Sequence, residues 1–271
     1  MSEKNKKIGL SAHSLNLFVE CPRCFYLYIK EGFSRPRGPM PSIATGIDSL
    51  IKEYFEHFRK IGKLPPFLEG KVEGKLITNF KKTYYYDIEN EKDYYLWGRL
   101  DEIIQTPNGL YVPLDHKTRA SLPQGDPHDA YKLQLGIYSL LLKKENKGIE
   151  VDFGYLVYYY PEKSMIDFEA DEIKNIINFN FEVKEVKIEK KFIKDVVKNA
   201  VECLKTSKIP DKGEKCEYCE WVSKTKKYYI ENELNEIKEE EEEEKNNAVK
   251  SEENEDLEEP EEKEFKDGKL F

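Results

Sequence analysis

The chain has 271 residues, enough to bury one sizeable core, and carries 53 acidic against 44 basic side chains, a net charge of −9. Residues 231–271 hold 19 acidic and 6 basic side chains, so residues 1–230 have a net charge of +4. The acidic balance therefore does not exclude a nucleic-acid partner. No stretch reaches the roughly 18 to 20 apolar residues of a membrane helix, and the first ten residues lack the apolar run of a signal peptide. We expect a cytoplasmic protein without membrane contact.

Hydrophobic spacing predicts alternating helices and strands through most of the chain. In chain order, the predicted helices are 11–29, 43–60, 129–144 and 189–206, and the predicted strands are 84–86, 94–97, 96–105, 110–117, 151–160, 166–168 and 178–187. Pro107-Asn108-Gly109 predicts a β-hairpin turn between two of these strands. The order of elements indicates a mixed α/β domain over 1–230. The Glu-rich remainder, 231–271, is predicted to be a disordered tail or a lone solvated helix.

The most informative segment contains Asp101 and the triplet Asp115-His116-Lys117. Alternate residues of a strand face the same side, so Asp115 and Lys117 point together, and the hairpin brings Asp101 beside them. Two carboxylates at one sheet edge suit a divalent cation, with the backbone carbonyl of His116 as a further ligand. Mg²⁺ or Mn²⁺ there would activate a water molecule, and Lys117 would stabilise a phosphoryl transition state. A surface ion pair beside a strand end is the simpler alternative for an isolated triplet.

The order of these residues resembles the PD-(D/E)XK nuclease superfamily. The chain has Gly-x-x-Asp-x-Ile at 98–103, Asp-His-Lys-Thr at 115–118, and then a helix with Gln134 and Tyr138 on one face. The likeness extends to the RecB-like branch, which includes CRISPR-associated spacer-acquisition nucleases and has a Gln-x-x-x-Tyr motif on this helix. The resemblance implies a restriction-endonuclease-like mixed β-sheet flanked by helices, with Gln134 and Tyr138 positioning the site or the DNA. Tyr138 as a core aromatic and Gln134 as a boundary residue are the alternatives.

The helix before the strands departs from this pattern. RecB-like nucleases usually carry a metal-binding histidine there, and the matching position in this chain is Asp48. A carboxylate is a competent ligand for a hard cation, so the resemblance implies that Asp48 is a third side-chain ligand. Asp48 can instead pair with Lys52, four residues later on the same helix.

Two Cys-x-x-Cys pairs bracket the domain, Cys21 with Cys24 and Cys216 with Cys219, and 191 residues separate them. Disulfides do not explain such pairs in a reducing compartment, whereas four thiolates bind zinc or an iron–sulfur cluster. A metal there would be a four-cysteine staple that joins the ends of the domain. The Cys-Pro-Arg context of Cys21 resembles the terminal iron–sulfur site of the same nuclease branch and implies a 4Fe–4S cluster. Zinc is the alternative, because the branch usually has one cysteine plus three. Cys203 is predicted to be a core thiol.

Basic residues near aromatic residues indicate where DNA phosphates could bind, although both clusters also fit a solvated surface. These are Arg35 and Arg37 in the Pro/Gly-rich loop, and Lys81 and Lys82 before the first strand. At the other end of the chain, Leu270-Phe271 resembles the terminus of peptides that bind the replication sliding clamp. The acidic tail is therefore a candidate site for a protein partner, with a plain solubilising role as the simpler hypothesis.

These patterns predict a metal-dependent nuclease that hydrolyses phosphodiester bonds of DNA in repair, recombination or spacer acquisition. One alternative is a catalytically inactive DNA-binding or scaffold protein that keeps the nuclease fold. Another is a structural zinc protein in which the Asp-x-Lys triplet arose by chance.

Overall fold

The computed structural model describes residues 7–36, 38, 42–78, 81, 83–162, 166–167, 172–173 and 177–232. By internal contacts the chain divides into two compact units, residues 1–216 and residues 217–271. In the second unit, residues 217–232 are helical. Nearly all of the predicted tail, with Leu270 and Phe271, lies outside the described residues, and the boundary at 230 stays a prediction. Within the described ranges, no helix combines the length and apolar character needed to cross a membrane.

The first unit contains both helices and strands, as the sequence pattern predicts. In chain order they are β1 (Ile8–Leu10), α1 (Ala12–Glu20), α2 (Pro22–Lys30), α3 (Ser42–Lys60), a 3₁₀ turn (Pro66–Leu68), β2 (Lys75–Leu76), β3 (Tyr84–Asp87), β4 (Tyr94–Gly98), β5 (Glu102–Gln105), β6 (Tyr111–Thr118), α4 (Asp129–Leu142), β7 (Phe153–Pro161), β8 (Ile166–Asp167), β9 (Glu172–Ile173), β10 (Phe179–Lys187) and α5 (Lys190–Lys205). The predicted mixed α/β class is confirmed.

A mixed five-stranded sheet, ordered β10-β7-β6-β5-β2, forms the centre of the first unit. β5 and β6 are the predicted antiparallel hairpin, and β6 pairs in parallel with β7. The hairpin turn places Gly109 at φ +84°, a backbone conformation that glycine adopts without strain. Because side chains alternate along a strand, the sheet buries two separate apolar clusters, one containing residues of α4 and the other residues of α3. The two helices that flank β6 therefore lie on opposite faces of the sheet.

The predicted strand 96–105 is wrong as one continuous element. Its first part belongs to β4, in a three-stranded sheet ordered β1-β4-β3, and its second part is β5 of the five-stranded sheet. The chain changes sheets between Gly98 and Glu102. A Cβ at Gly98 would lie 2.8 Å from Leu141 Cδ1 and 3.3 Å from Tyr138 Cε1, so a larger residue would have to displace the Leu141 side chain of α4. The change of sheet leaves Asp101 in a connecting segment.

The predicted helix 11–29 is also divided, into α1 and α2. Ser11 caps α1 in a capping box with Ser14. Cys21 then adopts an extended conformation, with φ −158° and ψ 104°, and Pro22 begins α2. Proline restricts the residue before it to extended conformations and has no N–H for the preceding helix, so the division falls at the Cys-Pro step.

A buried ion pair joins α3 to the central sheet. Arg59 Nη2 lies 2.7 Å from Glu102 Oε1, and Arg59 Nε donates to Glu102 Oε2 at 3.2 Å. The Glu102 side chain is 1% exposed and that of Arg59 18% exposed. Burial raises the pKa of Glu102 to about 7, although the neighbouring Arg59 guanidinium opposes this rise. The carboxylate is therefore stable in the fold only while the guanidinium accompanies it.

We expect Arg59→Met to destabilise the fold by about 3 to 5 kcal/mol at pH 8, because it leaves a buried carboxylate without its cation. Because the pKa of Glu102 is higher in the folded protein than in the unfolded chain, protonation of Glu102 stabilises the fold at low pH. That stabilisation is lost as the pH rises through the folded-state pKa. The loss should therefore be smaller at pH 5, where Glu102 is protonated. Urea unfolding at both pH values measures it. Arg59→Met combined with Glu102→Leu should recover most of the stability, and a pH-independent loss would contradict the assignment.

Candidate functional site

The predicted catalytic residues Asp101, Asp115 and Lys117 meet at the end of β6. Asp115 is 2% exposed, and its Oδ2 lies 2.5 Å from Lys117 Nζ. Asp101 reaches the same place from the segment between β4 and β5, where its Oδ2 accepts a hydrogen bond of 3.2 Å from the backbone N–H of His116. The tertiary structure thus joins two acids and one ammonium that the sequence separates by up to 16 residues.

The side-chain amide of Gln134, on α4, connects these groups. Gln134 Oε1 accepts a hydrogen bond of 2.9 Å from Lys117 Nζ, and Gln134 Nε2 donates to Asp115 Oδ1 at 2.9 Å. The same nitrogen donates to Tyr138 Oη at 2.8 Å. Burial raises the pKa of Tyr138, so its phenol stays protonated and serves as a hydrogen-bonding group. Gln134 and Tyr138 therefore hold the orientation of Asp115 and Lys117.

The electrostatics of Asp115 indicate a missing positive charge. Burial raises the pKa of Asp115 strongly, and the neighbouring Asp101 carboxylate raises it further, while Lys117 lowers it. Asp115 Oδ2 is a buried atom that has Lys117 as its ion-pair partner but no hydrogen bond of regular geometry. Two hard oxygen donors with this charge balance fit a divalent cation.

The imidazole of His116 lies on the other face of β6, as strand alternation requires. Its ring packs 4.5 Å from the ring of Phe55, and its Nδ1 lies 3.0 Å from Tyr159 Oη. Burial lowers the pKa of His116 to about 4, so the ring is neutral at neutral pH. The structure thus gives the side chain of His116 a packing role, and the predicted use of its backbone carbonyl as a metal ligand stays a prediction.

Asp48 is half-buried on α3 and forms an ion pair with Lys52, with 2.5 Å between Asp48 Oδ2 and Lys52 Nζ. This is the alternative that the i+4 spacing allowed. The pKa of Lys52 is raised first by the hydrogen bond to Asp48 and also by Asp101 and Asp115, while burial lowers it. The charges of Asp101 and Asp115 therefore act on this pair.

Sequence patterns missed one neighbour of the site. Lys117 Nζ lies 4.8 Å from the centroid of the Tyr131 ring, a cation–π contact. Tyr131 precedes Gln134 by three residues on α4, so helical spacing places both side chains towards the same strand end. That spacing was the only signal available in the sequence.

Known proteins resemble the chain at two levels. The sequence model of the PD-(D/E)XK nuclease superfamily matches residues 49–223, well over half of the chain. The chain belongs to the PD-(D/E)XK nuclease superfamily. The match includes every residue of the Asp-x-Lys site, begins just after Asp48, and leaves out Cys21 and Cys24.

Among solved structures, the crystal structure of SSO0001 shares 20% sequence identity with this nuclease-superfamily chain. The alignment covers 81% of this chain and 84% of that chain, with a TM-score of 0.40. No curated protein matches the sequence.

The four predicted cysteine ligands of this superfamily member lie together. The sulfur atoms of Cys21, Cys24, Cys216 and Cys219 are all within 4.8 Å of one another. The four-cysteine cluster expected from the sequence is therefore present. Cys203 is not part of it and packs against the main apolar cluster, as predicted.

Hydrogen bonds to two of the cysteine sulfurs favour thiolates. Gly213 N–H donates to Cys21 Sγ at 3.2 Å, and Arg35 Nη2 donates to Cys216 Sγ at 3.2 Å. Burial raises the pKa of Cys21, but hydrogen bonds from Gly213 and Cys24 outweigh it, and the pKa falls to about 7. A thiolate is the form of cysteine that binds metal.

The basic clusters predicted to contact DNA are largely engaged within the protein. Arg35 pairs with Glu20 at 2.5 Å in addition to its contact with Cys216, so its guanidinium supports the cysteine cluster. Lys81 pairs with Glu145 at 3.1 Å. Arg37 and Lys82 lie outside the described residues.

Proposed function

We propose that the protein is a metal-dependent nuclease that hydrolyses phosphodiester bonds of DNA, as a RecB-like member of its superfamily. The observation that carries the proposal is the connected group Asp101, Asp115, Lys117 and Gln134 at one strand end, within a chain of the PD-(D/E)XK nuclease superfamily. DNA repair, recombination and spacer acquisition are the processes in which we expect such an enzyme to act.

The residues of the site fit Mg²⁺ or Mn²⁺. Asp101 and Asp115, with the carbonyl of His116, would hold the ion. When bound, it supplies a water of lowered pKa and neutralises charge on the phosphate. The buried Oδ2 of Asp115 supports this assignment, because two neighbouring carboxylates share one ammonium, that of Lys117, and their mutual repulsion favours a further cation.

Lys117 is the group that we assign to the reacting phosphate. Its Nζ is held by Asp115 Oδ2, Gln134 Oε1 and the Tyr131 ring, so little side-chain freedom is left to lose when substrate binds. An ammonium fixed at this position stabilises charge that develops on the phosphoryl oxygens. Gln134 and Tyr138 are positioning residues, because they act on the substrate only through Asp115 and Lys117.

A catalytically inactive DNA-binding protein is the second candidate function, and one observation favours it. Where RecB-like nucleases usually have a metal-binding histidine, this chain has Asp48, and Asp48 already pairs with Lys52. If that pair persists when metal is present, the cation has only two carboxylates and binds weakly.

For the nuclease, we expect Asp115→Ala and Lys117→Ala each to lower DNA cleavage in Mn²⁺ by at least about a hundredfold, because each removes transition-state stabilisation. DNA affinity should stay within a few fold, since phosphate contacts elsewhere carry affinity. Cleavage of end-labelled single- and double-stranded DNA, with an EDTA control, measures both effects. Asp195→Ala and Lys191→Ala, which disrupt an exposed 2.5 Å ion pair on α5, are the matched controls. Near-wild-type cleavage by both site variants would contradict the assignment.

For Asp48, the measurement is the rise of the melting temperature with Mn²⁺, which reports metal binding without requiring cleavage. We expect Asp48→Ala to need more Mn²⁺ for the same rise, and Asp48→His to respond like the native protein. Glu56→Ala is the matched control, because Glu56 lies on the same helix and pairs with Lys60 at 3.0 Å. An unchanged titration in Asp48→Ala would show that Asp48 only pairs with Lys52.

We further propose that the four-cysteine cluster binds one zinc ion. Zinc holds four thiolates at about 2.3 Å in a tetrahedron, which places the sulfurs about 3.8 Å apart. Cys24 Sγ and Cys216 Sγ are 3.8 Å apart, and all four sulfurs lie within 4.8 Å. A 4Fe–4S cluster binds its cysteines through four separate irons, so it needs sulfurs farther apart than one ion does. The spacing therefore supports zinc over the iron–sulfur cluster implied by the family resemblance.

Protein purified without oxygen should be colourless and contain about one zinc per chain by elemental analysis. Cys21→Ser and Cys219→Ser should lose the metal and melt at a lower temperature, because metal binding stabilises the folded state. Cys203→Ser is the control and should keep both. A brown protein that contains iron and absorbs broadly near about 400 nm would overturn zinc in favour of the cluster. A protein without either metal would reject both.

A further inference from the structure

A cavity of about 560 Å³ opens beside the Gln134 network, in the first unit of the chain. Its lining includes two residues of the candidate active site and several that no part of the proposed chemistry uses. Its polar and aromatic lining residues include His13, Asn16, Trp97, Arg99, Gln134 and Tyr138, and the proposal below uses Trp97 and Arg99. The cavity is large enough for one nucleotide and shares a wall with the groups that we assign to phosphodiester hydrolysis.

The charge of the cavity is opposite to that of the site it adjoins. None of the described residues that line it is acidic, although Arg99 is only two residues from Asp101. Arg99 is exposed and forms no ion pair with any residue that the structure describes. A guanidinium without an acidic partner is available to bind a phosphate in bidentate geometry.

Trp97 supplies an aromatic surface at the same place. It is half-buried on β4, and its position depends on Gly9 in the neighbouring strand β1. A Cβ at Gly9 would lie 2.8 Å from Trp97 Cδ1 and 2.7 Å from the Tyr95 ring, so a larger residue would displace these rings. The indole N–H of Trp97 has no hydrogen-bond partner among the described residues. Its aromatic ring is therefore a fixed surface that is not committed to a polar contact.

We propose that this cavity binds one unpaired nucleotide of the DNA strand next to the scissile phosphate. Trp97 stacks on the base, and Arg99 binds the phosphate that follows it. The proposal rests on the proposed nuclease function and deepens it, because it names DNA with unpaired nucleotides as the substrate class. Base stacking on an aromatic side chain next to a basic group is the general chemistry by which proteins hold single strands.

Duplex DNA does not fit this arrangement. In a duplex each base is stacked on both faces and paired at its edge, so it reaches a concave site only after leaving the helix. A single strand or a frayed end presents its bases without that penalty. The cavity therefore selects against internal positions of an intact duplex.

Fluorescence of Trp97 tests the proposal without requiring cleavage. The chain has two tryptophans, and Trp221→Phe leaves Trp97 as the sole reporter. Titration of this variant in EDTA with an oligothymidylate should quench the emission, and a blunt hairpin duplex of equal length should quench it much less. Anisotropy of a labelled oligothymidylate should show about tenfold weaker binding to Trp97→Ala, while Trp97→Phe retains most of the affinity. Arg99→Gln should bind more weakly and with a shallower salt dependence.

Tyr85→Ala is the matched control. Tyr85 is the register partner of Trp97 on β3 and is 62% exposed, but it does not line the cavity. Its replacement should leave single-strand binding unchanged. Melting temperatures show whether each variant is folded. If Trp97→Ala does not fold, the fluorescence quenching of the Trp221→Phe variant and the binding of Arg99→Gln test the proposal instead.

Two outcomes overturn the proposal: oligothymidylate that binds without quenching Trp97, or quenching by the blunt duplex equal to that by the single strand. Trp97-dependent binding by a protein that cleaves no DNA would retain the cavity and reject the nuclease. Cleavage that is unchanged in the Trp97 and Arg99 variants would retain the nuclease and reject the cavity as a nucleotide site.

Discussion

The buried carboxylate of Asp115 is the constraint on which the rest of the site depends. A carboxylate at 2% exposure next to Asp101 has lost its hydration and faces a like charge, so the fold must compensate it. Lys117 does so by charge from the same strand, and Gln134 does so by a hydrogen bond that requires α4 to lie where it does. The hydrogen bonding of Asp115 at the strand end therefore depends on where α4 packs.

The two faces of β6 make different kinds of contact. One face presents Asp115 and Lys117 to α4, where polar contacts dominate. The other presents His116 to Phe55 of α3, where aromatic packing dominates and burial keeps the imidazole neutral. Packing and the pair of Arg59 with Glu102 attach α3 to this face, and the Asp48–Lys52 pair nearer the start of the helix lies close enough to Asp101 and Asp115 to be affected by their charge.

Hydrogen bonds between α2 and the segment after α5 support the cysteine cluster without a metal ion. The segment after α5 returns to α2, where Tyr26 Oη donates to Thr206 O at 3.3 Å and Arg23 Nε donates to Pro210 O at 3.1 Å. Gly213 comes so close that a Cβ there would clash with the backbone of Glu20. These contacts return the segment that leads to Cys216 to the helix that contains Cys24.

Local patterns predicted helices at the positions of α3, α4 and α5, and the β5–β6 hairpin that brings Asp101 near Asp115 and Lys117, while the place of Gln134 beside them was implied by the family resemblance. Such patterns suffice because helical and strand periodicities, a turn glycine and an i+4 pair depend on neighbours in the chain.

Only the tertiary structure decided the remaining features. The division of 96–105 depends on strand pairing, because β4 pairs with β1 and β3 while β5 pairs with β6 and β2, and the partner of Glu102 is an arginine 43 residues away. The pairing of Asp48 was left open by the sequence, because metal ligation and an i+4 ion pair use the same carboxylate. The spacing of the four sulfurs depends on how segments distant in sequence pack, and no local pattern carries a distance of that kind. Contacts between residues that are distant in the sequence depend on how the whole core packs, and no short segment of the sequence specifies that packing.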